Sequence, residues 1–140
     1  MIEYHYELDF RLGKESDYSI WIEKVTASES GVLEHLNYVF CGDDYLWKLN
    51  RKYLNHNTLT DILTFDYSQG RSLKADIVIS VERVRENAKE LGVGFDEELL
   101  RVMAHGVLHL LGYGDRTDSE KVRMRDKEDE KIKMFHVEQQ

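Results

Sequence analysis

Residues 96–111 constrain this chain more than any other segment. Leu99, Leu100, Val102, Met103, Ala104, Val107, Leu108, Leu110 and Leu111 leave a helix there with hardly a polar side. A helix that is apolar all round is one that other elements enclose. The rest of the chain must therefore supply the coat, and Gly112 marks where the helix stops. With 140 residues and 41% hydrophobic content there is enough material for one genuine core. No proline, no Ser/Gly-rich linker and no repeat period marks a second unit, so residues 1–140 are expected to form a single domain.

The coat is legible as alternating strands and helices. Residues 2–10 alternate apolar or aromatic with polar side chains, the period-2 pattern of a strand with one wet face. Ser16-Asp17 opens an amphipathic helix that runs to about Ser30-Gly31. Residues 35–41 form a second strand, and an aspartate of Gly42-Asp43-Asp44 caps a helix carrying Tyr45, Leu46, Leu49 and Tyr53. Residues 60–67 and 73–79 concentrate β-branched and aromatic side chains around the polar turn 68–72, a hairpin pattern. Ser80 caps a helix that Gly92 ends. The charged stretch from Asp118 to about Met134 is expected as a solvated helix lying on the body, with no chemistry of its own. The expected fold class is thus α+β, about four strands and their helices around a buried central helix.

That central helix carries His105 and His109, four residues apart and so on one face. Buried imidazole needs a partner, and a divalent ion supplies one while fixing both rings. The turn Gly112-Tyr113-Gly114 brings Asp115 back toward the same end as a hard oxygen ligand. Three protein ligands with a fourth position left to water is the layout of a catalytic site; structural zinc sites are closed and rich in Cys, and Cys41 stands alone in a strand. Water on such an ion loses a proton near pH 7, so hydrolysis follows. Zinc proteases need Glu directly after the first histidine; here it is Gly106, which disfavours a peptide substrate and leaves room for close approach to the ion. His5, His35, His56 and His136 lie in unrelated contexts and are expected to be solvated or hydrogen-bonded.

The run His105-Gly106-Val107-Leu108-His109-Leu110-Leu111-Gly112-Tyr113 resembles the hallmark of the YbeY family, bacterial endoribonucleases linked to ribosomal RNA maturation. The likeness extends upstream to Leu49-Asn50-Arg51-Lys52-Tyr53, to Thr60-Asp61-Ile62-Leu63-Thr64-Phe65 and to Ala75-Asp76-Ile77. It implies a metal-dependent nuclease acting on single-stranded RNA, a mixed sheet flanked by helices, and zinc at the positions of His105, His109 and Asp115. Asp115 replaces the family's third histidine, making the site harder and more anionic, so manganese or magnesium competes better with zinc there. Leu54 stands where the family often has an arginine tied to catalysis, so that role does not transfer and no catalytic residue is assigned. Arg51, Lys52 and His56 are the secondary candidates for holding a phosphate. Thr60, Asp61 and Asp76 either line the cleft or satisfy local structure.

A net charge of −8 argues against a protein that coats nucleic acid by bulk electrostatics. Local cations such as Arg51, Lys52, Arg83 and Arg101 would have to draw the RNA in, with Phe65, Tyr67 or Tyr113 as stacking partners. DNA is not expected as a substrate; basic ribosomal proteins are compatible partners for the acidic surface. Without an apolar span or a basic, apolar leader, the expectation is a cytoplasmic protein with no membrane association. Two rival functions are a metal-dependent hydrolase of another substrate and a ribosome-associated binding factor whose metal is only structural.

Overall fold

The computed structural model describes residues 1–55 and 59–138. Four strands, β1 (Ile2–Tyr6), β2 (Val32–Cys41), β3 (Ile62–Asp66) and β4 (Ser72–Ser80), form one sheet in the order β1-β2-β4-β3. β1, β2 and β4 run parallel, and β3 is antiparallel to β4, so the sheet is mixed as expected. Five helices surround it: α1 (Glu15–Ser28), α2 (Asp43–Leu54), α3 (Val81–Leu91), α4 (Phe95–Leu110) and α5 (Asp118–Glu138). Among the described residues no helix is long and apolar enough to cross a membrane.

Alternation along the strands decides which sheet face meets α4. Leu36, Tyr38 and Phe40 of β2 and Ala75, Ile77 and Ile79 of β4 point into the main core with Trp21, Ile22 and Val25 of α1 and Leu99, Met103 and Val107 of α4. The other face carries a smaller cluster, Cys41, Leu46, Leu63 and Val78, under α2. Beyond that cover the face is polar: Asn37 donates to Asp76 at 2.9 Å and its Oδ1 lies within hydrogen-bond reach of His5 and His35. Asp76 is therefore bound into a strand-to-strand network, and both histidines are hydrogen-bonded as expected.

Several boundaries differ from the sequence expectation. β1 stops at Tyr6 because residues 7–9 bend, which lets Phe10 turn inward onto Phe40 and Phe95 with ring centroids 5.5 and 6.0 Å away. β2 begins at Val32, not residue 35, since β4 offers it partners from Val32 opposite Ser72 onward. Neither early cap forms: α1 starts after Lys14, α2 after Gly42, both without a side-chain cap. Asp43 instead accepts from Ser80 Oγ at 2.7 Å and from Arg83 at 2.9 Å, which ties α2 to the start of α3. Ser80 does cap α3, accepting from the Arg83 amide, and Gly92 ends that helix in the left-handed region.

The largest correction concerns α5. It is a 21-residue helix packed against α4 and α1, with Met124, Glu128, Lys131 and Ile132 buried. Its charge density hid that stripe, because Glu128 and Lys131 stand on it among the apolar residues and are paired rather than solvated.

Candidate metal centre

α4 packs against α1, α3, α5 and the sheet, and its glycine explains how closely it meets the sheet. A Cβ on Gly106 would sit 3.0–3.3 Å from methyl groups of Ile62 and Ile77. The glycine thus lets the helix lie on the sheet; it faces the core rather than an ion, which corrects the sequence expectation. On the neighbouring face His105 and His109 emerge with ring centroids 5.5 Å apart.

The helix end brings the third candidate back. Tyr113 N donates to Leu108 O and Gly112 N to His109 O, the paired bonds of a Schellman motif, with Gly112 at φ 104° where a side chain would be strained. The reversal puts Tyr113 O 2.7 Å from His109 Nδ1 and Asp115 Oδ2 3.3 Å from His105 Nε2. His105 Nδ1 lies 2.8 Å from Glu128 Oε2 on α5. Each Nδ1 thus meets an acceptor, which favours a proton there, and Nε2 is the nitrogen directed away from those partners, in His105 toward the Asp115 carboxylate.

A cavity of about 150 Å³ beside His105 is lined by Asp61, Ile62, Glu98, Arg101, Val102 and Glu128. Burial pushes the Asp61 and Glu98 carboxyls up, more than nearby His105 and Arg101 respectively pull them down. Burial alone would lower His105. The hydrogen bond to Glu128 and the charges of Glu128, Asp115 and Asp61 outweigh it, and the net shift is upward. Asp61 therefore lines the cleft, where Asn87 donates to it at 3.3 Å.

The donor chemistry of two imidazoles and one carboxylate fits a divalent ion, and the 3.3 Å between His105 Nε2 and Asp115 Oδ2 matches the ligand-to-ligand edge of about 3.3 Å around a tetrahedral ion with bonds of about 2.0 Å. Among the described residues, no three His, Cys, Asp or Glu side chains are gathered around one point. The converged pair is His105 and Asp115, with His109 alongside.

The other candidates separate from this centre. Arg51 and Lys52 are exposed on α2, stacked on Trp47 and Tyr53 at 4.7 and 5.2 Å, and line a different groove with Lys48. His56 lies outside the described residues. Arg101 and Arg83 are not free to meet phosphate as expected: Arg101 bridges Glu128 and Asp129 at 3.0 and 2.7 Å, and Arg83 pairs with Asp43. Tyr113 is committed as well, its hydroxyl donating to Glu29. Phe65 and Tyr67 line a groove of about 340 Å³ with Tyr45 and Tyr53 on the far side of the sheet.

Glu128 and Glu98 escaped the sequence reading, and for Glu128 no local signal exists. The capping box Thr117-x-x-Glu120, by contrast, was readable: Thr117 N donates to Glu120 Oε1 and Glu120 N to Thr117 Oγ1.

The profile of a family described as "Endoribonuclease YbeY" matches residues 7–136. The chain is 52% identical over 139 residues to a Flavobacterium psychrophilum protein named Endoribonuclease YbeY, covering 99% of both chains. It is 40% identical over 121 residues to the protein of that name from Bacteroides thetaiotaomicron, covering 86% and 88%. A Thermotoga maritima protein of known solution structure superposes with a TM-score of 0.72 at 28% identity, over 99% of this chain and 91% of the other.

Proposed function

Because the chain belongs to the YbeY endoribonuclease family, we propose that it cleaves single-stranded RNA during ribosomal RNA maturation with one divalent ion held by His105, His109 and Asp115. The reaction class, hydrolysis of RNA phosphodiester bonds, follows from membership. The metal reading is supported chiefly by one observation, the approach of Asp115 to His105 Nε2 while Nδ1 of each histidine is engaged elsewhere. An ion there supplies charge stabilisation to a phosphoryl oxygen and lowers the pKa of water. Zinc suits the two imidazoles, and the Asp115 carboxylate admits manganese or magnesium as competitors.

The chain's own groups divide the remaining work. Asp61, in the cavity beside His105, is the carboxyl placed to take up a proton at its Oδ atoms. Arg51 and Lys52 offer positive charge to a backbone, and Tyr45, Tyr53, Phe65 and Tyr67 offer aromatic faces to unstacked bases. A strand touching both places would cross the edge strand β3, whose Ile62 lines the His105 cavity and whose Phe65 lines the aromatic groove. Basic ribosomal proteins are the partners proposed for the acidic surface, in the cytoplasm, and one domain carries the whole activity.

Elemental analysis of the purified protein and of His109→Ala, paired with cleavage of a single-stranded RNA, tests the reading. About one metal per chain with activity, both lost in the variant, is the expected result. Metal held equally by the variant, or none bound by wild type after reconstitution, would return the histidines to a structural role.

A further inference from the structure

Helix α5 carries a carboxylate where its packing calls for an apolar side chain. Met124, Glu128 and Ile132 follow one another at helical spacing along the buried stripe, and the Glu128 side chain is only 7% exposed. Replacing a buried ion pair by apolar residues is often neutral or stabilising, so the pair with Arg101 does not by itself account for Glu128. Its two oxygens serve different partners. Oε1 takes Arg101 Nη1 at 3.0 Å, and Oε2 takes His105 Nδ1 at 2.8 Å. Arg101 is in turn fixed through Nη2 to Asp129 at 2.7 Å, so the carboxylate cannot swing away from the ring.

We propose that Glu128 is a positioning residue of the metal centre: held by Arg101, it accepts a hydrogen bond from the Nδ1–H of His105 and so fixes the tautomer and ring direction in which Nε2 faces Asp115. This rests on the metal reading above. A histidine ligand whose second nitrogen donates to a carboxylate is oriented and made more basic, and losing that partner typically costs about 10–100-fold in metal affinity. α5 is then part of the site rather than a cover: Glu128 sets His105, and the Glu120 carboxylate, which accepts from the Arg116 and Thr117 amides, braces the loop that carries Asp115.

The experiment compares wild type, Glu128→Gln, Glu128→Met and Asp129→Asn. Two readouts are taken: the His105 tautomer in metal-free protein by long-range ¹H–¹⁵N correlation, and zinc affinity by chelator competition. In wild type His105 Nδ1 should carry a proton. Glu128→Gln has one carbonyl oxygen for two donors, and Arg101 wins it. That variant should show a mixed tautomer and zinc binding weakened about 10–100-fold. Glu128→Met fills the stripe with an apolar chain and should behave the same way if the glutamine variant does not fold. Asp129→Asn removes the charge that fixes Arg101 and should move both readouts in the same direction as the Glu128 variants, by less. An unchanged tautomer and affinity in the Glu128 variants would overturn the inference while the metal reading stands. A wild type that binds no metal would overturn the metal reading and this inference with it.

Discussion

The hydroxyl of Tyr113 donates to Oε1 of Glu29 at 2.6 Å, joining the loop after α4 to the end of α1. Lys131 and Lys127 of α5 reach Oε2 of the same carboxylate at 2.8 and 3.1 Å, and Lys131 is only 2% exposed. Three elements therefore meet on one glutamate.

That cluster makes stability pH-dependent. Burial alone would raise the Glu29 carboxyl, but the hydrogen bonds from Lys131, Tyr113 and Lys127 outweigh it and hold the group at about 2, against an ordinary 4.5. A folded-state value below the unfolded one means the stabilisation is present above about pH 4.5 and is lost as pH falls toward 2. Urea denaturation between pH 6 and pH 3 should show a falling midpoint. Glu29→Gln should flatten that fall and cost about 2 kcal/mol at neutral pH, since Lys131 then keeps only Glu130 as a charged partner.

Asp115→His should move metal preference toward zinc. Exchanging the carboxylate for a third imidazole removes the hard anionic donor that favours manganese or magnesium. Competition titrations of the three ions against wild type and variant read this directly, and an unchanged preference would remove Asp115 from the ligand set.

Gly106→Ala should destabilise the protein although alanine is the better helix former by about 1 kcal/mol. The new methyl meets Ile62 and Ile77 at 3.0–3.3 Å, and overpacking of this kind costs about 1–3 kcal/mol. The expected net loss is about 1 kcal/mol, seen as a melting temperature lowered by about 3 °C. A rise would mean that the two isoleucines yield without strain.

Thr117→Ala removes one half of the capping box that starts α5. The loss should be about 1 kcal/mol, with faster hydrogen exchange at the Glu120 amide, which the Thr117 hydroxyl accepts at 3.1 Å. Because the box closes the loop from Asp115, zinc affinity should weaken together with stability. A loss of stability with affinity intact would separate the cap from the site.

Much of this protein was legible along the chain. The nearly all-apolar α4 announced a helix enclosed by the rest, the alternation in residues 35–41 and 73–79 announced strands, and Ser80 and Gly92 bracketed α3 where they were expected. Helical spacing sets His105 and His109 on one face and one glycine turn brings Asp115 to His105, all of it local along the chain. The cap at the Asp43-Asp44 pair failed for the converse reason: Asp43 found better partners in Ser80 and Arg83, which are distant in sequence, while Ser16 lies inside α1, which begins at Glu15.

What the sequence determined by itself was local: which segments alternate, which face of each is apolar, and which side chains one helix and its turn can bring near one another. Tertiary structure decided the partners. Glu128 lies 23 residues beyond His105 in a run whose charges all look solvated, and only the packing of α5 on α4 turns that carboxylate inward to the imidazole. The same packing committed Arg101, while the meeting of α2 with α3 committed Arg83 and that of the loop after α4 with α1 committed Tyr113. Periodicity reports that a face will be buried; it carries no information about what the opposing element presents there, because that depends on how whole elements dock.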